Sequence, residues 1–380
     1  MNAAADITFD QALQAAEGVR IVGEKGRIVL PSPETRLARL LGSLAKHAAE
    51  TGDITQALKI ARSIPYDVTT RVETLLAIAD FQIRAGASPE AVLDQALLVA
   101  HDPGSNMAQW PSVRDSGIMM KSISNNVHLL CDIGRAQART GLQGDARATF
   151  DEALQTIVGA VALPPSATAM PTASADALAD ISDAQREAGL TSAAHQTLYR
   201  AAMAADATTP DRARAIALAR VAEVRSKAAH PAPDYFARAL AVARTLDNLA
   251  GASVLQAIAG SEARVGLRDA AADTFAEAIG LAHENGRMLR DIAAAQWRAG
   301  LVREAAATFE HAFAATMADT KRTSFDLPQL ARMIAYDGEG RALLAHAPTL
   351  GQRLLEAAKI VTERLDRAEL LSAIARALPN

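Results

Sequence analysis

The chain has 380 residues, of which 50% are hydrophobic but only 4% aromatic, and its formal net charge at pH 7 is -4. This length and apolar content suffice for a sizeable buried core, whereas the near balance of charges gives no attraction to nucleic acid or to an anionic membrane. The single cysteine, Cys131, excludes an internal disulfide and a cysteine-rich zinc site.

The first residues do not resemble a secretory signal, because acids occur early and a basic start with an apolar stretch is lacking. No apolar run approaches the roughly 20 residues that span a bilayer. We therefore expect a soluble, cytoplasmic protein without membrane insertion. Residues 8–18 predict a short helix and residues 20–29 two brief strand-like runs, so we expect residues 1–35 to form an N-terminal cap.

Seven segments come into register when they are aligned on a small residue that ends a predicted helix. A leucine lies eleven residues before each stop, a branched apolar residue eight before it, and a small residue next to that one. Spacings of three and four place these positions on one face of a helix. The stops are Gly52, Gly86, Gly141, Gly189, Ala229, Gly266 and Gly300, and the small residues are Ala45, Ala79, Gly134, Ser182, Ala222, Ala259 and Ala293.

A second helix is predicted after each stop. The better-preserved copies carry alanine five residues after the stop, a large apolar residue nine after it and alanine twelve after it. Each segment is therefore predicted to be a helical hairpin, whose glycine ends the first helix in a left-handed conformation. The fifth copy lacks the glycine, and its Pro231 and Pro233 suit a loop and the first turn of the next helix, so we expect a local bend there. The large apolar residues are Phe150, Leu198, Phe275 and Phe309.

With its 34-residue intervals from Gly52 to Gly86 and from Gly266 to Gly300, this pattern resembles the tetratricopeptide repeat family. The resemblance implies an all-α, right-handed superhelical α-solenoid of helix-turn-helix repeats over residues 36–320, with about seven hairpins. Leucine and glutamine replace the family's aromatic positions in the first helix, and the proline that ends the second helix is mostly absent. A neighbouring class of helical-hairpin repeat is the alternative.

Two insertions, residues 101–126 and 159–175, are predicted to be surface loops, and we expect Trp110 to fix the first of them to the body. Residues 321–380 are interpreted as degenerate repeats and a capping helix. The apolar face of that last helix must be covered, either by its own repeat or by a second copy of the chain in a homodimer.

A glutamine recurs four residues before several stops, on helices that are otherwise mostly apolar. We interpret its amide as bonding a carbonyl of a neighbouring helix or loop, which would fix the register between repeats. Binding the backbone of a ligand is the alternative. The glutamines are Gln82, Gln137, Gln185 and Gln296.

The sequence contains no phosphate-binding glycine loop, nucleophile elbow or zinc-protease motif, so we expect a non-catalytic protein without a cofactor or a metal. The resemblance implies that the first helices line an inner groove for an extended or helical peptide. Positions 13, 9, 6 and 2 before each stop face that groove. The candidate residues are Arg287, Arg290, Asp291, Trp297, Arg298, Arg264, Lys227, Arg220, Asp183, Asp180, Arg135 and Arg139.

Three arginines beside a tryptophan, namely Arg287, Arg290 and Arg298 with Trp297, suggest a protein or peptide partner with acidic groups. Two structural explanations compete with this interpretation. Cations in the last turn of a helix interact favourably with its dipole. The acidic stripe of the fourth copy could be neutralised by ion pairs between repeats. That stripe consists of Asp176, Asp180, Asp183 and Glu187.

An alternative function is a ligand-responsive regulator or an enzyme that uses the polar cluster around Asp180 and Asp183. His128 and Asp132, four residues apart, could join either aspartate in binding a metal. This cluster lacks a second histidine, and the sequence contains no metal-binding motif to support this reading.

Overall fold

The computed structural model describes residues 33–64, 67–101, 116–161, 170–228 and 233–318. All regular secondary structure in these ranges is helical, and no strand occurs in them. The fourteen helices are α1 (Pro33–Glu50), α2 (Ile54–Ser63), α3 (Val68–Arg84), α4 (Glu90–Ala100), α5 (Ser116–Arg139), α6 (Gln143–Val161), α7 (Met170–Glu187), α8 (Thr191–Asp206), α9 (Asp211–Lys227), α10 (Pro233–Ala243), α11 (Asn248–Arg264), α12 (Arg268–Ala282), α13 (Gly286–Arg298) and α14 (Val302–Ala318).

The helices pack as consecutive hairpins, from α1 with α2 to α13 with α14, within two compact units. Unit 1 is Met1–Ala204 and unit 2 is Ala205–Asn380. The first helix of a hairpin also packs against the first helix of the next one, so that α1, α3, α5 and α7 follow one another in unit 1, and α9, α11 and α13 do so in unit 2. The predicted all-α fold of repeated helical hairpins is therefore confirmed.

Six glycines end the first helices, as the alignment predicts. Their φ angles lie between 74° and 92°, a region that residues with a Cβ adopt only at a cost in free energy. At Gly141 the glycine N–H donates to the carbonyl of Ala138 at 3.1 Å, and the N–H of Leu142 donates to the carbonyl of Gln137 at 3.0 Å. These two hydrogen bonds satisfy the last carbonyls of the helix, and the chain turns there into the second helix.

The small position of the first helix is where the second helix comes closest. In the α5–α6 hairpin, a Cβ placed on Gly134 would lie 2.7 Å from a ring carbon of Phe150, which is completely buried. In the α7–α8 hairpin, the hydroxyl of Ser182 donates to the carbonyl of Ala194 at 2.8 Å. The large apolar residue of the second helix thus requires a small partner, which explains why both recur in the sequence.

Both insertions contribute to helices, contrary to the loop prediction for residues 116–126 and 170–175. The helix α5 begins at Ser116, and α7 begins at Met170. Serine, asparagine and proline favour a loop locally, but such propensities are weak, and Pro171 stands in the first turn, where its missing N–H costs nothing. Residues 102–115 and 162–169, and with them Trp110, lie outside the described residues.

Pro233 is the first residue of α10, as predicted for a proline in a first turn. The bend expected before it falls on residues 229–232, which lie outside the described ranges. Residues 1–32 of the predicted cap and residues 319–380 also lie outside them, whereas residues 33–35 of that cap already belong to α1. None of the described helices combines the length and apolar character that crossing a bilayer requires.

Candidate interaction surface

The predicted groove positions of unit 2 lie on faces of α9, α11 and α13 that are partly open to solvent, with one exception. Glu223 is 1% exposed, whereas every other member of the set is half-buried or exposed. We call this set the first-helix surface of unit 2. It comprises Ile216, Arg220, Glu223, Lys227, Ser253, Ala257, Gly260, Arg264, Arg287, Asp291, Ala294 and Arg298.

Polar contacts hold the first helices of unit 2 in one register. Arg212 donates to the hydroxyl of Ser253 at 3.1 Å, and Arg264 donates to Glu223 at 2.8 Å. Both links join α9 to α11 across the same offset of 41 residues. The amide of Gln256 then donates to the backbone carbonyl of Asp291 at 3.0 Å, which links α11 to α13. Because the residue offset is the same near both ends of α9 and α11, these helices run parallel and in register.

Three cationic side chains converge on the buried carboxylate of Glu223. One oxygen accepts from Arg220 at 2.6 Å and pairs with Lys227 at 3.1 Å, while the other accepts two N–H groups of Arg264 at 2.8 and 3.0 Å. Burial by itself would raise the pKa of Glu223. The hydrogen bond from Arg264 and the charges of Arg220 and Arg264 outweigh burial and lower that pKa to about 2. The carboxylate therefore stays ionised at neutral pH.

The guanidinium of Arg264 is held in place although its side chain is 56% exposed. Its Nε and Nη2 bond to Glu223, and Nη2 also donates to the hydroxyl of Ser261 at 2.8 Å. Its Nη1 has no hydrogen-bond partner in the described part of the chain. A Cβ on Gly260 would lie 3.5 Å from Nη1 and within 4 Å of no other atom outside its own helix turn. Arg264 therefore presents one donor group above an open glycine.

The predicted trio of arginines on α13 is divided by the structure. Arg287 and Arg298 are exposed, and Trp297 is half-buried. Arg290 is only 9% exposed, and its guanidinium donates to Asp291 at 2.9 Å. Arg290 lies one residue from the surface column, a rotation of about 100° around the helix. It is therefore turned into the packed side and does not extend the exposed pair.

In unit 1, the corresponding charges are paired with each other. Asp183 accepts two N–H groups of Arg186 at 2.7 and 3.1 Å, and Asp180 lies 3.5 Å from His128. Arg135 donates to Glu187 at 2.6 Å and to Asp132 at 2.9 Å. These contacts favour ion pairing as the explanation of the acidic stripe. No group of three metal-ligating side chains occurs in the described residues, and Asp132 and Asp183 face arginines.

The cations that lie two residues before five of the seven stops divide into two kinds. Nε of Arg84 and Nε of Arg298 donate to carbonyls of their own last turn, at 3.3 and 3.2 Å, as the helix-dipole explanation expects. Arg139, Lys227 and Arg264 instead reach carboxylates, and for Arg139 this is Asp80 on α3 at 3.3 Å. Arg298 is thus bonded to its own helix but has no carboxylate partner within the described ranges.

For Gln137 the glutamine prediction is wrong in its partner, and the buried amide oxygens of Gln82, Gln185 and Gln296 have no hydrogen-bond partner in the described residues. The amide oxygen of Gln137 accepts a hydrogen bond from the hydroxyl of Thr149 at 2.8 Å, within one hairpin rather than between repeats. A threonine recurs eight residues after four stops, directly before the large apolar residue, and this signal could have predicted the bond. The four threonines, all buried, are Thr149, Thr197, Thr274 and Thr308.

No family model matches the chain, and no curated protein sequence matches it. The solved structures that are similar to it include two that match most of both chains. One is the crystal structure of Ton1535 from Thermococcus onnurineus NA1, 14% identical over 88% of this chain and 89% of that chain, with a TM-score of 0.39. The other is a circular tandem repeat protein with novel repeat topology and enhanced subunit contact surfaces, 12% identical over 90% and 88%, with a TM-score of 0.33. Both TM-scores are low, so the description of the fold depends on the helices themselves.

Proposed function

We propose that the chain is a tetratricopeptide-like, non-catalytic interaction protein, and that the first-helix surface of unit 2 binds a protein segment with acidic side chains. The observation that carries this proposal is the pair of exposed arginines on α13. Neither Arg287 nor Arg298 has a carboxylate partner in the described part of the chain, whereas Arg135 and Asp180 of unit 1 each contact a partner on the neighbouring first helix.

The spacing of these arginines sets the size of the segment. Arg287 and Arg298 are separated by eleven residues of helix, a rise of about 16 Å. An extended chain advances about 3.3 Å per residue, so acidic side chains roughly five residues apart would reach both guanidinium groups. Trp297 lies beside Arg298 in the sequence and adds an aromatic surface, and tryptophan and arginine dominate the binding energy of many interfaces.

The test compares the binding of two double variants to an array of acidic peptides. Beside each acidic peptide, the array carries a copy in which glutamine and asparagine replace the acidic residues. We expect the protein to prefer the acidic copies and the Arg287→Ala/Arg298→Ala variant to lose this preference. The matched control is Arg200→Ala/Arg303→Ala, which removes the same charge from exposed positions on the second helices α8 and α14. Equal acidic preference in the two double variants would contradict the proposal.

A further inference from the structure

The buried carboxylate of Glu223 has a feature that simple charge neutralisation does not require. It fixes the direction of an exposed guanidinium, because Nε and Nη2 of Arg264 bond to the same carboxylate oxygen while Nη2 also bonds to Ser261. A flexible arginine loses side-chain entropy when it binds a ligand, but one that is already fixed loses much less. Arg264 is thus prepared to donate from Nη1.

The neighbourhood of Nη1 has room for an incoming group. Gly260 carries no side chain, and Ala257 and Ser253 continue the same face of α11 with small ones. On α13, the residue at the same alignment position as Gly260 is Ala294, which is also small. If a bound segment crosses α11, its acidic side chain can therefore reach Nη1 of Arg264, because no bulky side chain of α11 lies in its way.

Building on the proposed function, we infer that Glu223 is a positioning residue, which orients Arg264 so that its Nη1 donates to a carboxylate of the bound segment above Gly260. The segment then contacts two neighbouring repeats, through Arg264 on α11 and through Arg287 and Arg298 on α13. Glu223 contributes to binding although it carries the same charge as the ligand.

Because Glu223 and the acidic ligand have the same charge, the substitution Glu223→Gln tests the inference. Removing a negative charge from a basic surface should tighten binding of an acidic peptide if only net charge matters. If Glu223 orients Arg264, the same change should weaken binding, by about tenfold, which corresponds to the loss of one charge-assisted hydrogen bond. The probe is the best acidic peptide from the array, labelled with fluorescein, and its dissociation constant is measured by fluorescence anisotropy.

Asp269→Asn is the matched control, because it removes one negative charge from an exposed position on the second helix α12, outside the first-helix surface of unit 2. We expect this control to bind the probe as tightly as the unmodified protein or more tightly. Arg264→Lys keeps the charge but cannot reproduce the planar fork, so it should also weaken binding about tenfold. This second variant leaves the charge of Glu223 balanced and therefore tests the inference even if Glu223→Gln unfolds.

The outcomes separate the two proposals. If the unmodified protein shows no preference for acidic over amide peptides, both fail. If it prefers the acidic peptides and loses this preference in Arg287→Ala/Arg298→Ala, the proposed function stands. In that case, unchanged or tighter binding by a folded Glu223→Gln variant, or unchanged binding by Arg264→Lys, overturns the role of Glu223 alone.

Discussion

Two glutamates of unit 2 are almost completely buried, and their surroundings shift their pKa values in opposite directions. Glu223 is surrounded by cations, and its pKa is lowered to about 2, so the stability it contributes is lost as the pH falls from about 4.5 through about 2. Glu262 is 2% exposed, and one of its oxygens has no hydrogen-bond partner. Burial raises the pKa of Glu262, the hydrogen bond from Thr274 opposes this, and the charge of Asp273 adds to it.

Glu262 occupies the position that Gln137 holds in the α5–α6 hairpin, so we predict that Glu262→Gln stabilises the protein at neutral pH. Because the folded state binds the proton of Glu262 more tightly than the unfolded chain does, the carboxyl group destabilises the fold once the pH exceeds its ordinary pKa of about 4.3. The gain in melting temperature should therefore be present at neutral pH, shrink as the pH falls towards that ordinary pKa of about 4.3, and be absent below it. The reverse change, Gln137→Glu, should lower the melting temperature at neutral pH and recover in acid. A lower melting temperature of Glu262→Gln at neutral pH would refute this account.

For single residues, part of the candidate surface could be predicted from the sequence. The column of positions before each stop correctly placed Arg264, Arg287 and Arg298 on a solvent-facing side. The burial of Arg290 could not be predicted, because one residue on a helix turns a side chain by about 100° and the sequence does not say which flank is covered. Which cations keep a carboxylate partner depends on the register between helices, and a single sequence does not supply that register.

The hairpins were the most predictable elements, because each is encoded locally by a small position, a glycine stop and a large apolar residue. The starts of α5 and α7 were missed, since their first turns carry residues that favour loops and are helical only in the folded protein. Close packing of Gly134 against Phe150 explains why one small position tolerates no side chain.

At this scale we predict that Gly134→Ala destabilises the protein by about 1–3 kcal/mol, because the added methyl group overlaps the ring of Phe150. Gly144→Ala, in the neighbouring helix α6, is the control. A Cβ there meets nothing within 4 Å, and alanine favours the helix, so a gain of about 0.5–1 kcal/mol is expected. Free energies of unfolding from urea titrations distinguish the two, and equal values would show that the contact is loose.

Across the molecule, each described first helix packs against the first helices of adjoining hairpins in its own unit. Stability in such an array is approximately a sum of hairpin terms and nearest-neighbour terms. Two polar links between α5 and α7 belong to the nearest-neighbour terms, namely the ion pair of Arg135 with Glu187 and the contact of His128 with Asp180.

We therefore predict that the disturbance caused by Gly134→Ala is confined along the array. Amide hydrogen exchange should accelerate in α5 and α6, and less so in α3 and α7, whose packing partner is α5. The α1–α2 hairpin should exchange at its original rate, since a complete hairpin separates it from the substitution. Uniform acceleration over all described helices of unit 1 would instead indicate a single cooperative block.

The links between first helices join α5 to α7 at an offset of 52 residues, α9 to α11 at 41, and α11 to α13 at 35. Alignment of neighbouring first helices is therefore independent of how much chain runs between them. A foreign sequence spliced into an outer connection would leave the aligned faces undisturbed. Genes for such proteins can accordingly gain or lose codons for these connections without loss of the aligned faces, and a protein engineer can use the same positions as graft sites.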